Sequence, residues 1–174
     1  MPIIKTFPDR YINKLATTIM LDEQINKMLY YADVLDKDIY SLEEVDNPIA
    51  KLKNKNVFIN RRVTDLFTKV NEADIYVFIN LHSDAPCNIN GRGSTFIDTM
   101  SLDIGVICSD SCRNTLNGTR ENIVFDRIVE LLKTDVNLQG IGVPKISNTN
   151  QAYAIPLGYN MYIITVTINY FNTM

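Results

Sequence analysis

Residues 94 to 108, "STFIDTMSLDIGVIC", alternate with a period of two, and no other stretch restricts the fold as much. Met100, Leu102, Ile104, Val106 and Cys108 share one face, and Thr99, Ser101, Asp103 and Gly105 share the other. Successive side chains of an extended chain point to opposite sides. The stretch is therefore a strand with one face on a core and the other toward water or a polar partner. A polar loop, "SDSCRNTLNGT", follows it. Next comes an apolar stripe at helical spacing, formed by Val124, Ile128, Leu131 and Leu132. Thr119 is placed to cap this helix, and Glu121 lies in its first turn, where the helix dipole favours a carboxylate.

The rest of the chain follows from the same two periods. Residues 8 to 32 read as helix, with Tyr11, Leu15, Thr18 and Ile19 and then Leu21, Ile25, Met28 and Leu29 at helical spacing. Pro8 fits a first helical turn, and Asp22 and Glu23 mark a second start, so the segment is one bent helix or two. Residues 33 to 56 are charged and weakly periodic, an irregular connector with room for one short helix around the turn signal Asn47-Pro48. "VFINRRV" from residue 57 alternates. "DIYVFINL" (74 to 81) is apolar on both faces, as a strand covered on both sides would be. "GIGVPKISNTNQAYAI" and "YNMYIITVTINYFN" make a closing pair of extended segments. Tyr162, Ile164, Val166, Ile168 and Tyr170 lie on one face of the last strand; Met161, Ile163, Thr165, Thr167 and Asn169 lie on the other. The predicted class is α+β: a mainly antiparallel sheet, one amphipathic helix packed on a face, and helices preceding both. The expected division is a helical region and connector at 1–56 and an α+β sandwich at 57–174.

Length and charge narrow the function. A chain of 174 residues can bury a core without staples. A net charge of −3 gives no reason to expect nucleic acid or an anionic membrane as a bulk partner. There is no signal-like N-terminus and no apolar run near the ~20 residues of a membrane span. Three cysteines are then expected as reduced thiols in a cytosolic setting. On that reading the sequon at Asn117 carries no meaning.

The residue types that carry catalysis are sparse. His82 stands beside Ser83 and Asp84, but sequence neighbours cannot converge as a triad does. A strand-end histidine bonded to a loop is the expectation. His82, Cys87, Cys108 and Cys112 supply zinc-ligand types at a spacing unlike a zinc knuckle, and Cys108 continues an apolar face as a core thiol would. "NINGRGST" (88 to 95), with Arg92 between two glycines, could form a backbone nest for an anion. It lacks a P-loop lysine and a following helix, and reads as a hairpin tip or interaction loop. Lys51, Lys53, Lys55, Arg61 and Arg62 form a basic cluster, a solvated face or a patch for an acidic surface or passing DNA. Asp98 and Asp103 sit at odd offset and face opposite sides of their strand. An enzyme would need carboxylates from distant segments, such as Asp74, Asp98 and Glu121. The expectation is no enzyme, no metal and no cofactor.

The order of these elements resembles a known group. The strand "SLDIGVIC", the polar loop, the helix "ENIVFDRIVELL" and the closing "YAIPLGYNMYIITVTINYFN" look like the tail-terminator and head–tail joining proteins of tailed bacteriophages. The cues are the Asp103–Cys108 strand, the helix near 122 to 133 and the Pro156–Tyr159 entry into the last strand, and they cover roughly residues 57 to 172. The resemblance implies a subunit assembled in the host cytoplasm that ends in the virion. It implies a homo-oligomeric ring contacting tail tube protein on one side and neck or connector proteins on the other, with DNA at most passing through the lumen, no membrane and no cofactor. Ring subunits need heterologous contacts that close by rotation. The candidate contact residues are Arg61, Arg62, His82 and Arg92, then Ser109, Asp110, Arg113 and Asn117 of the polar loop, and Met161, Ile163 and Thr165 of the last strand. A tail lumen is usually acidic, and the basic cluster departs from that pattern. A non-catalytic connector or baseplate adaptor is the alternative, and a small metal-dependent hydrolase is the further one.

Overall fold

The computed structural model describes residues 7–31, 37–60, 75–82, 97–139, 143–148, 155 and 157–171. Two helices open it, α1 (Phe7–Leu21) and α2 (Glu23–Tyr30). Asp22 separates them: its backbone is extended, and its carboxylate accepts the N–H of Ile25 at 3.0 Å. An N-cap in the middle of a continuous apolar pattern resolves the bent-or-double choice in favour of two. Leu21 falls at that corner and is exposed rather than packed. The connector holds a short 3₁₀ turn (Ile39–Ser41) and α3 (Pro48–Leu52), which starts on Pro48 behind the cap Asn47.

The main sheet has the order β1-β2-β3-β7-β6, with β1 (Val57–Ile59), β2 (Ile75–Leu81), β3 (Ile97–Ser109), β6 (Lys145–Asn148) and β7 (Tyr159–Phe171). β1 pairs with β2 in parallel; the other pairings are antiparallel. The fold is therefore α+β with a mainly antiparallel sheet and N-terminal helices. The expected strand from residue 57 is short: it stops at Ile59, and Asn60 takes a left-handed φ of 51° while its N–H donates to Ile79. A small two-residue hairpin, β4 (Asn114–Thr115) and β5 (Gly118–Thr119), leads into α4 (Arg120–Thr134). Among the described residues, no helix is long and apolar enough to cross a membrane.

The first face of the sheet carries the core. Val57, Val77, Leu102, Ile104, Val106, Ile164 and Val166 are buried against Ile12, Leu15, Ile19, Ile25 and Met28 of α1 and α2 and Val124, Ile128 and Leu132 of α4. One cluster of buried apolar side chains thus spans both sides of residue 56. Each of these larger side chains contributes about 1.5–3 kcal/mol on burial, before ordering entropy is subtracted. Asn56 adds a polar tie: its Nδ2 donates to the carbonyls of Leu29 and Ile75 at 2.9 and 3.0 Å.

The second face differs from expectation. Asp103, Gly105 and Ile107 are buried rather than turned to water. The register explains this. Phe78 stands opposite Gly105, which stands opposite Ile163; Tyr76, Ile107 and Met161 form the next row. With Phe58 they make a second apolar cluster. A Cβ on Gly105 would sit 2.2 Å from the Phe78 ring, so the glycine leaves the space that the ring fills. β2 is covered on both faces, as its composition suggests.

Candidate functional site

Beyond the second cluster, the same face turns polar row by row. Asn80, Asp103 and Thr165 align, then Ser101 and Thr167, then Thr99 and Asn169. The pairs bond across the strands: Ser101 Oγ lies 3.2 Å from Thr167 Oγ1, and the Thr99 hydroxyl donates to Asn169 Oδ1 at 2.9 Å. Asp103 is 1% exposed, so its carboxylate needs partners. Thr165 donates to Oδ1 at 2.8 Å, and His82 Nδ1 lies 3.0 Å from Oδ2. His82 is therefore held by a buried carboxylate on the neighbouring strand. The pair lies 21 positions apart in the sequence and becomes visible once Asn80 is registered against Asp103. The one usable signal was an aspartate among Thr, Ser and Gly on a sheet face.

The loop after β3 is organised by internal bonds. Ser109 Oγ accepts the Ser111 N–H at 3.3 Å and starts a 3₁₀ turn over Asp110–Cys112. Asn160 donates to the Asp110 carboxylate, and the Asp110 N–H reaches the Gly158 carbonyl at 2.9 Å, which ties the loop to the entry of β7. Arg113 pairs with Glu121, which is fully buried. Asn117 Oδ1 accepts the Ile39 N–H at 3.3 Å and fastens the connector to the hairpin. Gly118 takes φ 127° at the hairpin turn. The Asn-Gly pair that marks such a turn was readable as a hairpin signal, but stood only as a sequon. Thr119 occupies the N-cap position with extended backbone, yet its hydroxyl makes no capping bond and is buried without a partner. Its pairing with Asn114 in the hairpin fixes it there instead.

Arg120, unremarked in the sequence, is the largest fully buried side chain among the described residues. Its guanidinium donates to the carbonyls of Met28, Tyr31 and Cys112, with Tyr31 at 2.8 Å and Cys112 at 3.4 Å. Carbonyls at the C-terminal end of a helix lack intrahelical partners, and a cation there is favourable. Arg120 thus clamps the end of α2 to the loop. A second tie joins the same helices: Arg127 bonds Asp22 at 2.9 Å and Glu130 at 2.6 Å.

The other expected residues fall as follows. Met161, Ile163 and Thr165 are half-buried and line the second face, the first two against its apolar cluster and Thr165 on Asp103. Arg61, Arg62, Arg92, Ser83, Asp84, Cys87 and Asp74 lie outside the described residues. Lys51 sits over the Tyr30 ring at 4.8 Å, while Lys53 and Lys55 are exposed. The zinc set does not form around His82. Ile75 is registered with Cys108 and Leu81 with Leu102, so His82 and Cys108 stand at opposite ends of the β2–β3 pair. Glu121 is engaged with Arg113; of the carboxylates expected beside it, Asp74 and the Asp98 side chain lie outside the described residues. A groove of about 380 Å³ opens between the α1–α2 corner and α4, lined by Leu21, Tyr40, Lys27 and Arg127 among others. Its cations are already paired, Lys27 with Glu23 at 2.7 Å and Arg127 as above.

At the end of the sheet where β3 stops, two leucines are uncovered. Leu157, beside the Gly158 carbonyl that receives Asp110, is fully exposed, and Leu116 at the hairpin turn is 64% exposed. The arrangement is a stiff polar scaffold that presents apolar tips, with a separate Asp–His pair on the sheet.

These features define an α+β protein whose loop is built to hold a shape. The chain belongs to the YomW family, whose model matches residues 22–168. That family is phage-derived, from Bacillus prophages of the SPbeta-like type. Neither a curated protein nor a solved structure matches the chain.

Proposed function

We propose that this protein is a non-catalytic building block of the phage particle, a subunit that closes into a ring at the tail–neck junction, caps the tail tube and joins it to the head connector. The observation that carries the reading is the internal bonding of the loop over residues 109–119. Arg113, Asp110 and Asn117 bond to Glu121, Asn160 and Ile39, so these groups brace the loop. A loop ordered before contact loses little entropy on binding, as an assembly surface requires. The exposed Leu116 and Leu157 supply apolar area at that surface. The phage-derived family supports the setting.

Native mass spectrometry with negative-stain imaging tests the reading. A closed ring of identical subunits is expected, and the double variant Leu116→Asp, Leu157→Asp is expected to return it to monomer. A strict monomer at all concentrations would remove the ring and leave the connector or baseplate adaptor, which orders on its partner instead.

A further inference from the structure

We propose that Cys108 and Cys112 form an oxidation site, a thiol pair that closes to an intrachain disulfide and reopens on reduction. The proposal does not depend on the ring. Their Sγ atoms lie 3.8 Å apart, and both approach the Ser109 carbonyl oxygen, at 3.5 and 3.6 Å. Neither cysteine is joined in a disulfide, and the residues are 0% and 4% exposed. A disulfide needs the sulfurs about 2 Å closer than this. The two sides of the gap are unequal in stiffness. Cys108 sits in β3 with strands paired on both sides, opposite Ile75 and Asn160. Cys112 ends a three-residue 3₁₀ turn. The closing motion therefore belongs to the turn.

The oxidant is a small peroxide, able to reach a sulfur with little exposed surface. The Cys112 sulfur, the more exposed of the two, attacks as thiolate. An S–O bond forms, the O–O bond breaks, and the departing hydroxide takes up a proton to leave as water. The Cys108 sulfur then attacks the sulfenic sulfur; the S–S bond forms, and the hydroxyl leaves with the Cys108 proton as a second water. The two sulfurs lose one electron each and the two peroxide oxygens gain one each. The hydrogen bond with Cys112 and burial both push the Cys108 thiol up, so Cys108 is the second thiol to react and its proton leaves with the hydroxyl. A thiol reductant restores the pair by exchange.

The test uses the full chain treated with hydrogen peroxide, then unfolded in iodoacetamide and weighed. Alkylated thiols should fall from three to one. The tryptic peptide from Gly93 to Arg113, which holds Cys108 and Cys112 but not Cys87, should be about 116 Da lighter than the doubly alkylated peptide of untreated protein, and dithiothreitol before alkylation should restore the heavier form. Cys87→Ser should leave that change intact. Three alkylated thiols after treatment, a crosslink that includes Cys87, or sulfinic acid at 108 or 112 without a disulfide would each overturn the proposal.

Discussion

Two residues show how a single atom group sets local structure. Gly105 carries no Cβ because the Phe78 ring occupies the place. Gly105→Ala is expected to cost about 1–3 kcal/mol by overpacking, read by urea denaturation, and Phe78→Leu in the same chain should recover part of it. Tyr11 is the second case. It is buried and donates to the Leu138 carbonyl at 2.7 Å. Burial, then the charge of Asp135, pushes its phenol pKa well above the ordinary value. A raised pKa means the folded state keeps a proton that the unfolded chain gives up. The contribution is complete below pH ~10 and is lost as pH climbs beyond it, at up to ~1.4 kcal/mol per pH unit. Tyr11→Phe should flatten that alkaline decline relative to the parent, at a cost of about 1 kcal/mol at neutral pH for the lost hydrogen bond. Equal alkaline slopes for the two proteins would refute the assignment.

Among elements, α2 depends on a residue far along the chain. Arg120 bonds the carbonyls of Met28 and Tyr31 at its end, 92 and 89 positions away. Arg120→Leu keeps the apolar bulk and removes those donors. Hydrogen exchange should then rise together in α2 and in the 109–119 loop, with global stability lower by about 3 kcal/mol. Exchange confined to the loop would show that α2 is held by packing alone. The faces of β3 and β7 were legible because side chains alternate without regard to what the strands pair with. The break at Asp22 was legible because a cap has its own residue type. The parallel β1–β2 pairing, the burial of Asp103 and the Arg120 clamp were not, since each depends on a register between distant segments. The second face misled at two positions for the same reason: Asp103 and Gly105 look exposed until Thr165 and Phe78 are registered against them.

At the scale of the molecule, the helices and the sheet share one core, so the first 56 residues are more than an appendage in energetic terms. A fragment of residues 57–174 would lack Ile12, Leu15, Ile19, Ile25 and Met28, which share one core with Val57, Val77, Leu102 and Ile104. Such a fragment should lose near-UV circular dichroism and bind hydrophobic dye, whereas the whole chain should melt in one transition. A fragment with native near-UV signal would establish two independent units.

The strand at the centre of the sheet also sets a schedule for synthesis. β3 receives its long neighbour β7 from a point 50 residues on at the near end, where Ser109 meets Tyr159, and 74 at the far end, where Ile97 meets Phe171. At ~5–20 residues per second on the ribosome, β3 waits on the order of 3–15 s with one edge open. An open apolar strand is an invitation to its counterpart on a neighbouring nascent chain. The moment of greatest risk for this protein is therefore during translation, and slower elongation between residues 109 and 159 should raise the insoluble fraction without any change in the finished fold.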